Sequence, residues 1–377
     1  DATLDTQLVR YEPVTPSPTI LYETVSGVNA RSFVKTRNEH LWKLACLPAR
    51  VIRQKRHEEC EQLRDGAVTN GKSPANTQSV GEQWGRGLRF PLTRYLIKRT
   101  RRKITNRSVD EQWILLRCRD PDDLIGSPYT KILPAPGRFW ADPFLVERAG
   151  NQYVFFEDAC IVTGHGHIAV ASVSAQGQLE EPTPVLRRPY HLSYPFIFRW
   201  NDDLYMIPES LDNRSVEVYR CEEFPYAWTF QGKLLNDISA VDATLLEHDG
   251  RWWMFVGVRE VEGASVSDEL CIFFADQPLS DTWTPHPGNP VVSDARRARP
   301  AGAILREGSR LLRPSQDCSR RYGYGLNISE ILTLSPESYA EKPIQSRTPA
   351  EGESIVAIHS YTRSGPLAMM DGIHRTI

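Results

Sequence analysis

FWADPFLVERAGNQYVFFED, Phe139–Asp158, reads as two apolar strands joined by a polar turn. Ala149-Gly150-Asn151 provides the turn, in residue types that close hairpins. One acid, Asp142, stands inside the first apolar run, where the pattern asks for a core residue. The phrase recurs at Tyr194–Ser210, Val241–Val258, Ala298–Asp317 and Ile355–Gly372. After each of the first four hairpins comes a third strand: Gly166–Val173, Ser215–Cys221, Glu269–Asp276 and Tyr324–Ile331. A fourth segment carrying Trp follows at Ala227–Leu235 and Thr282–Val292. Aligned on Asp142, Pro195, Asp242, Pro300 and His359, the units are spaced by 53, 47, 58 and 59 residues. A four-stranded unit of about 50 residues is a propeller blade.

The expected fold is therefore all-β, a five-bladed β-propeller over residues 111–377, with a small mixed α/β segment before it. The fifth unit reaches Ile377 after only two strands. An open blade edge invites aggregation. The strand-like Gln112–Cys118 is predicted to return and complete blade five. In such a ring the first strand of each blade lines the central channel, so Asp142 and Asp242 should converge on the axis. A buried pair of like charges is costly unless hydrogen-bonded or functional.

Residues 1–63 read as mixed structure ending in a helix, started by Asn38-Glu39-His40 and kinked or broken at Pro48. Residues 64–110 read as a flexible and basic linker. Arg64–Gly87 is polar, aperiodic and rich in Gly, Asn, Ser and Thr. Seven Lys or Arg lie between Arg94 and Arg107. Segment 94–107 suits a glycolipid or an anionic membrane surface; the alternative is a solvated basic arm. With a net charge of −2 and no recognition module, nucleic acid is excluded as a partner. The seven cysteines form no CxxC pair, which fits reduced thiols in a cytosol-like compartment, peripheral to an inner membrane face.

Among candidate site residues, Asp142 and Asp242 fit sugar chemistry, in which two carboxylates flank an anomeric centre. The alternative is a pair of turn-capping aspartates. Glu209 ends an apolar strand, as Glu157 and Asp317 do, and is the candidate acid. Arg299 and His359 hold the inner-strand register of blades four and five. With Arg313 and Arg321 they suit a phosphate or carboxylate. Tyr194 and Tyr322 suit stacking on a sugar ring, although core packing is the commoner use of tyrosine. His165 and His167 have alternate spacing but no visible third ligand, so no metal is expected. No nucleophile elbow, phosphate loop or dinucleotide fingerprint occurs, and no cofactor is implied.

FWADPFL, HLSYPFIF, LYMIPES, SVEVYR, FPYAW, VDATLLEHDGRWWMF, RPSQDCSRRYG and HSYTRSGPLAMMDG together resemble the N-terminal propeller domain of plant glucosamine inositolphosphorylceramide transferase and its bacterial relatives. The resemblance covers residues 111–377. In plants that domain accompanies an exostosin-type glycosyltransferase domain, which this chain lacks. A partner glycosyltransferase is therefore implied, with a sugar or nucleotide-sugar substrate. More distantly, the ring resembles glycoside hydrolase family 43. There a blade-one Asp is the base and a blade-three Asp tunes it, places matched by Asp142 and Asp242. The blade-four acid of that family has no match, because its register here holds Arg299-Pro300-Ala301-Gly302, with Glu307 only in the next turn. Pro18–Ile52 resembles the end of a formyltransferase-like domain, whose catalytic part would lie upstream.

The resemblance implies a carbohydrate-active protein of polysaccharide or glycolipid assembly that supports glycosyl transfer. Asp142 would be base or charge stabiliser, Asp242 its tuner, Glu209 the acid, and Arg299 and Arg313 the clamp on an anionic group. A glycoside hydrolase and a non-catalytic glycan-binding or scaffold propeller are the alternatives.

Overall fold

The computed structural model describes residues 3–10, 19–29, 32–65, 111–174 and 177–376. The basic segment 94–107 and the linker from residue 66 to 110 lie outside the described residues.

Five antiparallel sheets form the ring. Blade one consists of Arg138–Arg148, Asn151–Cys160, Gly166–Val173 and Thr183–Leu186. Blade two consists of Ser193–Trp200, Asp203–Glu209, Ser215–Glu223 and Ala227–Asn236. In blade three, Ala240–His248, Arg251–Val258 and Glu269–Ala275 carry two short outer pieces, Thr284–Pro285 and Val292–Ser293. Blade four runs Leu305–Glu307, Arg310–Asp317, Gly325–Leu334 and Tyr339–Arg347. In blade five, Ile355–Ala357 and Tyr361–Ser364 pair with Leu367–Arg375. That strand then pairs with Glu111–Cys118, Met370 opposite Leu116 and Ile373 opposite Trp113, and Tyr129–Ile132 follows. The ring is thus closed by a strand from the start of the domain.

Each seam between blades holds its own apolar cluster. Phe155 faces blade two, with Leu204, Met206 and Tyr219. Its neighbour Phe156 faces blade five, with Leu115 and Met369. Successive strand residues point to opposite faces, and here both faces are covered, so these strands are apolar throughout. Similar clusters join blades two and three through Phe198 and Trp252, three and four through Trp253 and Leu311, and four and five through Leu326 and Ile114.

Near the axis the chain makes its closest approach at Gly302, where φ is +143° and an added Cβ would lie 2.0 Å from the carbonyl oxygen of Tyr361. Gly302→Ala is expected to cost about 1–3 kcal/mol, because backbone must shift to admit the methyl group. An unchanged midpoint in urea denaturation would contradict this.

Residues before the ring form a hairpin, Thr3–Arg10 with Thr19–Gly27, and a helix, Phe33–Asp65. The helix begins earlier than the Asn38 start expected from sequence. The reason is Ser32, whose hydroxyl accepts the N–H of Lys35 at 3.2 Å and caps the first turn. Nor does Pro48 end the helix. Pro48 lies on the exposed side, while Cys46, Leu47, Arg50 and Val51 around it are buried, and the helix continues past it. The seam is polar: Lys43 sits 3.5 Å from Asp268 and 3.3 Å from Glu269, and Arg50 lies 2.8 Å from Glu260 and 2.9 Å from Glu269. Val28 N–H donates to Ser319 O at 2.8 Å, and Gly27 lets the two backbones approach, since a Cβ there would meet Cys318 O at 2.9 Å.

Candidate active site

Three inner strands share one local device. In blade one Ala141 pairs with Glu157 and Phe144 with Phe155; in blade two Ser193 pairs with Glu209 and Phe196 with Ile207; in blade three Val241 pairs with Gly257 and Thr244 with Phe255. Two residues thus face one, a bulge that re-aims a side chain. The first residue of each bulge has positive φ: Asp142 at 54°, Tyr194 at 45° and Asp242 at 55°. Tyr194, rather than Pro195, is therefore the register mate of the two aspartates. Aspartate tolerates this conformation; tyrosine adopts it only where its surroundings hold it.

The bulges send two carboxylates inward, and the second strands add more. Around Asp142, the Asp142 N–H donates to Asp371 Oδ2 at 2.7 Å, Tyr194 N–H donates to Asp142 Oδ2 at 3.3 Å, and His359 Nε2 is 3.3 Å from Asp142 Oδ1. His359 Nδ1 lies 2.7 Å from Asp371 Oδ1, which also accepts Ser360 N–H at 2.9 Å. Around Asp242, Arg299 Nε donates to Oδ2 at 2.6 Å and Gln316 Nε2 to the same oxygen at 2.9 Å. Arg299 Nη2 donates to Glu209 Oε2 at 3.2 Å, so one guanidinium ties two carboxylates. Glu157 lies 3.2 Å from His191 Nε2.

Burial and mutual repulsion govern the charge states. Burial, reinforced by Asp371 and Asp242 and opposed by His359, lifts the Asp142 carboxyl to about 7. Burial followed by Asp142 pushes Glu157 well above the usual carboxylate range. Burial followed by Asp242 does the same to Glu209, against the pull of Arg299. His359 moves up: burial lowers it, but the carboxylates of Asp371 and Asp142 more than offset that. The centre thus holds carboxyls that keep protons near neutral pH, beside an imidazole able to take one.

Arg299 is the member of this centre that also lines a cavity of about 310 Å³, at the lower end for a small-molecule site. Arg299, Cys318, Arg321 and Tyr322 line its ring side, and Ser26–Asn29 with Lys35 and Glu39 line the other. Tyr322 is 45% exposed and stands over Arg299, 4.8 Å from guanidinium carbon to ring centre, and edge-on to His359 at 5.1 Å. It is placed to stack on a ligand entering the mouth. A larger groove of about 580 Å³ lies between the hairpin and blades three and four, away from the carboxylates, and its Arg296 and Arg297 are both paired with Asp294.

Of the residues singled out from sequence, Asp142, Asp242, Glu209, Arg299 and His359 meet on the axis, and Tyr322 with Arg321 stands at the mouth. Arg321 is also paired with Glu111 at 3.0 Å. The others are placed elsewhere. The Tyr194 ring is fully buried against Phe144, and its hydroxyl accepts Gly302 N–H at 2.7 Å and lies 2.8 Å from Thr244 Oγ1. That ring cannot stack on a sugar; it is core. Arg313 is enclosed by Glu341, Nε to Oε2 at 2.7 Å, and donates to Arg297 O, so no clamp on an anion forms there. Asp317 accepts Ser319 N–H at 2.8 Å and holds a turn, while its neighbour Gln316 reaches the centre. Glu307 pairs with Arg363 at 3.1 Å.

Sequence reasoning missed Asp371 and Gln316 and undervalued Glu157. Asp371 follows Met369-Met370 as Glu157 follows Phe155-Phe156, a register match legible in the repeat itself. Asp142, His359 and Asp371 each offer an atom within 4.8 Å of the others and could hold a metal ion; His165 and His167, the pair weighed from sequence, are not in this group.

The fold and centre define a class: a five-bladed propeller with a buried acidic cluster on its axis beneath a narrow mouth. A model of the family described as glucosamine inositolphosphorylceramide transferase 1, N-terminal, matches residues 127–359, and the chain belongs to that family. Glucosamine inositolphosphorylceramide transferase 1 of Oryza sativa subsp. japonica is 36% identical over 213 residues, 55% of this chain and 28% of the rice protein. The Arabidopsis thaliana protein of the same name is 37% identical over 210 residues, 55% of this chain and 27% of that protein. The match thus spans less than a third of these relatives. Among solved structures, Zg3597, a family 117 glycoside hydrolase of Zobellia galactanivorans, superposes with a TM-score of 0.46 at 12% identity, over 70% of this chain and 90% of that one. The catalytic domain of the Coprinopsis cinerea GH62 α-L-arabinofuranosidase gives 0.47 at 13%, over 63% and 90%.

Proposed function

We propose that this is a carbohydrate-active propeller that supports glycosyl transfer, taking a sugar or a nucleotide sugar into its central acidic pocket. The observation that carries the reading is Asp142: a buried axial carboxyl near neutrality, tied to His359, whose ring packs edge-on against Tyr322 of the cavity lining. In this reading a sugar ring lies against Tyr322. Asp142 takes a hydroxyl proton or faces oxocarbenium charge, and Glu209 is the proton donor. Arg299 is already shared by Asp242 and Glu209, so its role is to hold those two carboxyls in place. The relatives' names, which join glucosamine, inositolphosphorylceramide and a transferase, support the class. A glycosyltransferase, in the same protein or a partner, supplies the remaining machinery.

Hydrolysis of the family 43 kind is the weaker reading, because Arg299 occupies the blade-four register and Glu307 is engaged with Arg363.

The test is a screen of sugar nucleotides and free oligosaccharides by isothermal titration, on the wild type and on Asp142→Asn. The expected result is binding of a sugar nucleotide, weakened about tenfold to a hundredfold in the variant. Equal behaviour of the two proteins would remove Asp142 from any active role. Turnover of free oligosaccharide would favour the hydrolase.

A further inference from the structure

The helix Phe33–Asp65 is amphipathic in the reverse of the usual sense. Its face on the propeller carries Thr36, Lys43, Cys46, Leu47, Arg50 and Val51, two of them charged and all buried. The opposite face carries Val34, Leu41, Ala45, Pro48 and Ile52, all exposed. Steps of seven, four, three and four residues keep these five on a single stripe along the helix. Phe33, 76% exposed, stands at the start of the helix, about 100° round from the stripe. Trp42, 49% exposed, flanks it and leans over Gly263. Isolated exposed apolar residues need no explanation, but a continuous stripe of them marks a contact surface.

The charges around the stripe say what covers it. The exposed charged residues from Phe33 to Lys55 are Lys35, Arg37, Arg53 and Lys55, all basic. Lys35 and Arg53 also pair with Glu39 and Glu260 at the seam. An apolar stripe with an aromatic edge and basic flanks is the signature of a helix lying in the interface of an anionic bilayer. No helix among the described residues is long and apolar enough to cross a membrane.

We propose that this stripe docks the protein in-plane on an anionic lipid surface. The same helix contributes Lys35 and Glu39 to the mouth of the cavity. Docking would therefore hold the mouth beside the membrane, where the head group of a lipid-linked ligand is presented. The proposal stands whether or not the pocket binds sugar.

It is tested by sedimenting the full chain with phosphatidylcholine vesicles, with and without phosphatidylserine. The wild type should bind the anionic vesicles and bind less as salt is raised. The double variant Leu41→Asp, Ile52→Asp should lose about tenfold or more in binding, with an unchanged circular dichroism spectrum, since both side chains are exposed. Arg37→Glu should weaken binding in the same direction, without touching the stripe. Undiminished binding by the double variant, or no binding by the wild type, would overturn the proposal. So would light scattering that shows a wild-type dimer converted to monomer by the same double variant, because the stripe would then be a subunit interface.

Discussion

Arg299→Met is expected to destabilise the domain by about 3–5 kcal/mol at neutral pH, the usual cost of removing one partner from a buried charge network. Arg299 is 6% exposed and Asp242 is 2% exposed. The guanidinium makes bonds of 2.6 and 3.3 Å to Asp242 and 3.2 Å to Glu209. Methionine fills much of the same volume, so the loss is electrostatic rather than a cavity. Without the cation, Asp242 keeps only the Gln316 amide as a side-chain donor. The buried carboxylate is left without its counter-ion, and adding Asp242→Asn to Arg299→Met should recover part of the loss. Urea denaturation followed by circular dichroism measures both effects. A loss below about 1 kcal/mol would mean that water already screens this centre and that it is not the enclosed site described.

How much of this was legible in the sequence depends on what kind of signal each residue leaves. The blades were legible because the hairpin phrase repeats with the same turn chemistry, and the ring follows from repetition. Asp142 and Asp242 were legible because each is a charge in an apolar run at the same place in its unit. Tyr194 was misjudged because an apolar residue at that register leaves no mark. Its backbone, not its ring, serves the centre, by donating to Asp142. In blade four, Asp317 drew attention as an acid at a strand end, yet strand alternation turns Gln316 inward and Asp317 out to its turn. Arg299 was placed correctly but its partners were not foreseeable. The residues it joins come from blades two and three, more than fifty positions upstream. The docked helix was harder still. Its buried face mixes Cys46, Leu47 and Val51 with Lys43 and Arg50, so apolar periodicity does not single it out, and only Asp268, Glu260 and Glu269 across the seam explain the two cations.

Stability should fall as pH rises from about 5 to 8, the reverse of the carboxylate behaviour common in globular domains. Asp142 ionises near its ordinary 3.8 when unfolded and at about 7 in the native state. Between those values the native protein holds a proton that the unfolded chain has released, so each step up in pH favours unfolding. One such group contributes a slope of up to about 1.4 kcal/mol per pH unit. Glu157 and Glu209, raised by burial, act in the same sense from their unfolded value of 4.5 upward. His359 is raised above 6.5; its contribution is complete below that value and is lost as pH climbs through its native one. At the acid end the sign reverses. The Arg321 and Arg375 hydrogen bonds hold Glu111 down at about 2, and Arg313 holds Glu341 low against its burial. Those pairs are lost as pH drops below about 4.5. Maximum stability is therefore expected near pH 5, with a loss of about 3 kcal/mol or more by pH 8. Urea midpoints measured at intervals from pH 4 to 8 give the profile, and Asp142→Asn should flatten its alkaline limb. A flat or rising limb in the wild type would show that the axial carboxyls are hydrated and ionised. The same finding would also remove Glu209 as the proton donor, because a carboxyl already ionised well below neutral pH has no proton to give where sugars are transferred; Asp142 would keep its role as base or charge stabiliser.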